Sequence, residues 1–133
     1  MGFLERIRPA SSPDTTRARG QAAEDQALDH LLAAGLTLVA RNYRTAGRGG
    51  GEIDLILRER DGTLVFVEVR SRSGTGHGGA GGSIGAAKRR RIVFAARCYL
   101  MRLPAPPPCR FDVVLIEPQS LQWLRAAFDA DGA

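Results

Sequence analysis

Apolar and polar positions alternate along the chain in two different rhythms, and the changes of rhythm mark the elements. Residues 1–14, interrupted by Pro9 and Pro13, show no period and read as a frayed arm, which leaves 15–133 as one domain. From Thr16 to about Ala34 the spacing is helical, and Gly35 supplies a C-terminal stop. Leu36–Arg44 reads as a strand, and Glu52–Arg58 and Thr63–Arg70 read as two more around an Asp61-Gly62 turn. Glycine-rich loops at 47–51 and 74–82 hold ten of the sixteen glycines, so the element interiors are nearly free of them. Ser83 is placed to cap a second helix running to about Leu103, with Ile92, Ala95, Ala96, Tyr99, Leu100 and Leu103 as its apolar stripe. Pro104–Pro108 breaks it, Phe111–Glu117 reads as a buried strand, and Ser120–Phe128 as a short amphipathic tail with Leu121, Leu124 and Phe128 on one side. The order α-β-β-β-α-β plus a tail predicts an α/β domain, a mixed central sheet flanked by helices.

The hairpin admits two registers, and they differ in what they bury. A two-residue Asp61-Gly62 loop opposes Leu55 to Glu68 and Ile53 to Arg70, mixing charge into both faces. A three-residue loop, Arg60-Asp61-Gly62 with Gly62 left-handed, opposes Ile53–Val69, Leu55–Val67 and Leu57–Val65, a wholly apolar face. The other face then reads Glu52–Arg70, Asp54–Glu68, Ile56–Phe66 and Arg58–Leu64. The second register is the better one, and it sets two carboxylates across from each other. Like charges so opposed repel, and a divalent cation between them reverses the sign. Mg²⁺ or Mn²⁺, bound by carboxylates, waters and phosphate oxygens, suits phosphodiester hydrolysis. The competing account is a salt-bridged cluster in which Arg70 compensates Glu52 and Glu68.

A third acid joins them. On a helical wheel Glu24 falls between Ala27, Leu28 and Leu31, in the middle of the apolar face, whereas Asp25 and Asp29 point elsewhere. A carboxylate there needs a metal or a cationic partner, and an Arg at the open end of the helix would serve.

Charge adds a substrate class. Lys+Arg 19 against Asp+Glu 14 gives +5, and residues 41–110 hold fourteen of the cations against five acids. That segment is the place to look for a polyanion. Eighteen of the nineteen are Arg, and Lys88 is the only lysine. Lys88 is aligned with Ile92 and Ala95 toward the sheet, near the acids, whereas Arg89 and Arg90 point outward, where phosphate contacts or plain solvation await them. Arg44, Arg48 and Arg72 flank the glycine loops as a groove rim. Neither loop has phosphate-cradle spacing, and few aromatics offer stacking platforms, which favours duplex or branched DNA over single strands. No apolar run is long enough to span a membrane, no secretory leader is visible, and two cysteines are too few for a disulfide scaffold, so the expectation is a cytoplasmic protein.

The run Gly51-Glu-Ile-Asp-Leu-Ile, followed by Val65-Phe-Val-Glu-Val-Arg-Ser-Arg72, resembles the YraN family of small bacterial proteins. The likeness extends from about Arg19 to Phe128 and includes Arg110-Phe-Asp-Val-Val114. That family is similar to the restriction-endonuclease-like PD-(D/E)xK nucleases, particularly archaeal Holliday-junction resolvases. The resemblance implies a restriction-endonuclease-like core, a homodimer, and a metal-dependent endonuclease acting on DNA, with branched DNA in repair or recombination as the substrate. It makes Asp54 the first acidic metal ligand, Glu68 the acid of ExK, Glu24 the helix-borne glutamate, and Arg70 the counterpart of the lysine. Arg70 departs from that pattern. An arginine stabilises phosphate charge but accepts no proton, so the alternative is a nucleic-acid-binding or repair accessory protein that keeps the fold without cleaving. Arg48, Arg72, Lys88, Arg89 and Arg90 are the expected nucleic-acid contacts, and Glu52, opposite Arg70, is expected as a structural pair.

Overall fold

The computed structural model describes residues 16–47, 50–72 and 84–130. The elements are α1 (Thr16–Ala33), β1 (Thr37–Arg44), β2 (Glu52–Arg58), β3 (Leu64–Ser71), α2 (Ala86–Leu100), β4 (Cys109–Glu117) and β5 (Ser120–Phe128). The five strands form one sheet in the order β1-β2-β3-β4-β5. All neighbours are antiparallel except β3 and β4, which run parallel because α2 carries the chain back between them. The expected arm and the 74–82 loop lie outside the described residues.

The period-two pattern buries both faces of the central strands, one against each helix. Leu55, Leu57, Val65, Val67, Val114 and Ile116 pack with Ala23, Ala27 and Leu31 of α1. Ile56, Leu64, Phe66, Phe111 and Val113 pack with Ile92, Val93, Ala95, Ala96 and Tyr99 of α2. Phe66, Phe111 and Phe128 stack through the second layer at centroid distances of 5.5 and 5.0 Å. The hairpin takes the three-residue register: Leu55↔Val67, Ile56↔Phe66, Leu57↔Val65 and Arg58↔Leu64. Gly62 sits at φ 96°, the left-handed conformation that closes such a loop, and its N–H donates to the Glu59 carbonyl.

Three expectations give way to the structure. Ser120–Phe128 is a full strand, not a tail. Leu121 and Leu124, three residues apart, face opposite sides of it as period two requires, and the register slips beyond them, between Phe111 and Val113 of β4 opposite Ala126 at φ 50°. Leu121 accordingly packs on the α1 side, and Leu124 and Phe128 on the α2 side. Helix α2 starts after Gly85, whose extended backbone makes the N-cap with no side-chain bond; Ser83 lies outside the described residues. The helix ends at Leu100, and Leu103 reaches the core from the following turn. Ile53 does not share a face with Leu55 and Leu57. It joins the α2 layer, as does its β1 neighbour Tyr43, which the left-handed Asn42 (φ 52°) sets on the face opposite to the one expected from Arg41.

Candidate active site

The reversal at Asn42 lies where the β2–β3 ladder ends. Beyond Leu55↔Val67 the two strands no longer pair, and the Val69 N–H instead donates to the Asp54 Oδ2 at 2.8 Å. A side chain thus fills the place of a backbone acceptor, fixing the Asp54 carboxyl in the mouth between β2 and β3. Glu68 projects from β3 on the face that carries Leu64 and Phe66, toward α2, and is buried to 7% exposure. Its Oε2 is 3.5 Å from the Lys88 Nζ on α2. Its Oε1 is buried with no hydrogen-bond partner.

Burial and proximity make the pair hard to ionise. Burial first, then the charge of Asp54, pushes the Glu68 carboxyl from 4.5 up to about 7, against the pull of Lys88 and Arg70. Burial raises Asp54 as well, against the Val69 N–H that stabilises its anion. Two carboxyls so placed hold a proton between them, or a cation in its stead. Glu24 reaches the same corner from α1. It is raised by burial and by Asp54, and held down by Arg41.

Arg41, on β1, is the cation that the position of Glu24 called for: its Nη2 lies 3.7 Å from the Glu24 Oε1 and 2.8 Å from the Asp25 Oδ1. Asn42 completes the link. With its amide nitrogen turned to the acids, it donates to Glu24 Oε1 at 3.2 Å and to Glu52 Oε2 at 3.1 Å. Neither Arg41 nor Asn42 stood out in the sequence. An Asn inside a strand was the available signal, since Asn tolerates the left-handed region better than other non-glycine residues.

Glu24, Asp54, Glu68, Arg70 and Lys88 therefore meet in one corner, Arg70 through its charge on Glu68. The expected Glu52–Arg70 pair does not form, because the ladder has ended; Glu52 meets Arg44 at 3.7 Å instead. Arg72 turns away to the Glu117 Oε2 at 3.2 Å, a tertiary ion pair. Arg89 is half-buried: its Nη1 donates to the Ile84 carbonyl at 2.6 Å, tying the entry of α2. Arg90 is exposed, on the flank of α2 that lines a separate cavity of about 490 Å³ with Phe94 and Arg97. Arg48 lies outside the described residues.

The donor set suits a hard cation. Asp54 and Glu68 offer carboxylate oxygens, one of them orphaned, and Glu24 is an electrostatic neighbour. Among the described residues no group of three or more His, Cys, Asp or Glu side chains converges tightly enough to hold a metal alone. Two carboxylates with the remaining positions left to water and phosphate oxygens is the arrangement Mg²⁺ ordinarily accepts.

Residues 23–116, which include all of these acids, match the profile described as "Uncharacterised protein family UPF0102". A "UPF0102 protein" of Acidovorax sp. is 75% identical over 131 residues, covering 98% of this chain and 99% of that one. Others from Paracidovorax citrulli and Verminephrobacter eiseniae are 70% and 66% identical, covering 98% and 96% of this chain and 99% and 96% of theirs. With the match spanning sheet, helices and carboxylate corner alike, the chain belongs to the UPF0102 family, the family of YraN.

Proposed function

We propose that this protein is a Mg²⁺- or Mn²⁺-dependent nuclease that hydrolyses DNA phosphodiester bonds, with branched DNA as the preferred substrate. The observation that carries the reading is the Asp54–Glu68 pair: one half-buried and one buried carboxyl, both pushed up in pKa, with one oxygen of Glu68 lacking a donor. Folding alone gains nothing from such a pair, since apolar residues would fill the space at lower cost. A divalent ion held there by Asp54 and Glu68 would supply an acidified water and neutralise charge on the phosphate. The chain's own residues do the rest. Val69 holds Asp54 in place through its N–H. Lys88, 3.5 Å from Glu68, presents an ammonium at the corner from α2 rather than from β3. It takes the electrostatic role that Arg70 cannot fully take, because an ammonium is a compact point charge that can orient a water where a guanidinium is a planar fork. Arg70 then stabilises the extra negative charge that develops on the phosphate during attack.

The test uses labelled four-way junction, flap, duplex and single-stranded DNA, with Mg²⁺, Mn²⁺ or EDTA. We expect metal-dependent cleavage, fastest on the junction, reduced about a hundredfold or more in Asp54→Ala and Glu68→Ala. Binding without cleavage, equal in the parent and both variants, overturns the enzyme and leaves a nucleic-acid-binding protein on the same scaffold.

A further inference from the structure

Beside the carboxylate corner lies a cleft of about 360 Å³, lined by Arg44, Thr45, Gly47, Gly50, Gly51, Glu52, Lys88 and Arg91. Three cations face one acid there. Arg44 is 3.7 Å from Glu52 but 74% exposed, so water screens that pair and leaves the guanidinium free to exchange partners. Lys88 is shared with Glu68. Arg91 is exposed and makes no ion pair among the described residues.

The wall opposite α2 is the turn between β1 and β2, and three of its described N–H donors are already used. The Thr45 N–H bonds to the Gly51 carbonyl at 3.1 Å, and the Gly50 N–H to the Gly47 carbonyl at 3.1 Å. The Gly51 N–H bonds to the Thr45 hydroxyl at 2.9 Å. Those three N–H groups are taken up within the turn, and the charged side chains are what the cleft offers. It also sets their spacing. A Cβ on Gly51 would fall 2.4 Å from the Arg91 carbonyl oxygen, so the turn and α2 touch backbone to backbone only because that position has no side chain. That contact fixes how far Arg44, at the end of β1, stands from Arg91.

We propose that this cleft seats the sugar–phosphate backbone of duplex DNA, with Arg44 and Arg91 on phosphate oxygens that flank the bond lying over Glu68, and Lys88 at the junction. The inference rests on the nuclease reading only for where the track leads; the binding itself is separable from cleavage. Guanidinium groups suit the task because each can fork onto two oxygens of one phosphate. Arg91 is not among the contacts expected from sequence.

The experiment is fluorescence anisotropy of labelled duplex DNA in EDTA across a series of salt concentrations, with cleavage assayed separately in Mg²⁺ and Mn²⁺. Arg91→Gln and Arg44→Gln are each expected to weaken binding about three- to tenfold and to lower the slope of log affinity on log salt by about 1. Arg125→Gln removes one charge from β5, at the other edge of the sheet, where Arg125 stacks on Trp123, and is expected to bind as the parent does. Gly51→Ala keeps every charge yet forces the turn off α2, and is expected to lose affinity with its circular dichroism unchanged. Binding by Arg91→Gln and Arg44→Gln equal to that of the parent, with unchanged slopes, overturns the cleft even if the parent cleaves. Loss in those variants without cleavage by the parent upholds the cleft and overturns the nuclease. Inorganic phosphate displacing the duplex, where chloride of the same ionic strength does not, overturns the duplex assignment in favour of a small-anion site.

Discussion

Two buried acid sites on one sheet are built on opposite principles. Asp112, on β4, is fully buried, and its carboxylate is crowded with donors. Arg110 Nε reaches both oxygens at 3.0 and 3.2 Å, Trp123 Nε1–H donates at 2.9 Å, and the Ala126 N–H at 2.9 Å. Arg110 extends the network to Glu59 at 2.8 Å. Glu68, two strand-widths from the β5 edge, is nearly as buried, yet it has one cation at 3.5 Å, an acid for a neighbour and an oxygen with no donor. Burial of a carboxylate is therefore no sign of function by itself. What distinguishes the two sites is whether the protein has supplied the compensating hydrogen bonds or left them to something it binds.

The comparison predicts opposite responses to removing the charge. Asp112→Ala strands a guanidinium, an indole N–H and a backbone N–H at once, and lets go of the bulge at Ala126 that puts Phe128 into the core. We expect a loss of about 3–5 kcal/mol in urea unfolding. A loss below about 1 kcal/mol would break the comparison, because the Asp112 network would then be as dispensable as an exposed pair.

Glu68→Gln sharpens it from the other side, and pH is the lever. The folded chain keeps the Glu68 proton up to about pH 7, whereas the unfolded chain releases it near 4.5. Stability from this group is thus fully present below about pH 4.5 and is lost as pH rises through about 7, the reverse of a salt-bridged carboxylate. The full excursion is on the order of 3 kcal/mol. Glu68→Gln keeps the shape without the titration, so its melting temperature relative to the parent should climb between pH 5 and pH 8. If the proposed nuclease activity holds, it should also lose metal-dependent cleavage throughout. A pH-independent difference between the two proteins would mean that Glu68 is ionised and compensated in the fold, like Asp112.

How much of this could be read in the sequence follows from what each feature depends on. The hairpin register was legible because period-two burial and the left-handed Gly62 point to the same pairing, and that register brings Asp54 and Glu68 to one place. Lys88 was legible because helical phase alone turns it toward the sheet. The fate of Arg72 was not, since its partner Glu117 lies 45 residues away and no local pattern names it. The bond that Arg89 makes was not legible for a related reason: its acceptor is a carbonyl freed by the manner in which α2 begins. Strand β5 was disguised because Leu121, Leu124 and Phe128 fall at helical spacing, whereas in the strand Leu121 packs on the α1 side and Leu124 and Phe128 on the α2 side.

The smallest predicted effect concerns the residue that joins the two strands of the candidate site to α1. Asn42 does two things, taking φ 52° and directing its amide at Glu24 and Glu52, and two substitutions separate them. Asn42→Gly keeps the backbone conformation and removes the amide; Asn42→Ala removes both. The lost hydrogen bonds to exposed or half-buried acids should cost about 0.5–1 kcal/mol in Asn42→Gly, with roughly 1 kcal/mol more in Asn42→Ala for the left-handed backbone. The amide also holds the Glu24 carboxyl down, against burial and Asp54. Asn42→Gly should therefore raise the Glu24 pKa, readable by NMR titration of its side-chain carboxyl, while leaving the Asp112 network and its Trp123 fluorescence unchanged. Equal losses in the two variants would assign the whole effect to the amide and would mean that the left-handed turn at β1 is held by the surrounding sheet. A Glu24 that titrates as in the parent would detach Asn42 from the acid corner and reduce its part to turning Tyr43 toward α2.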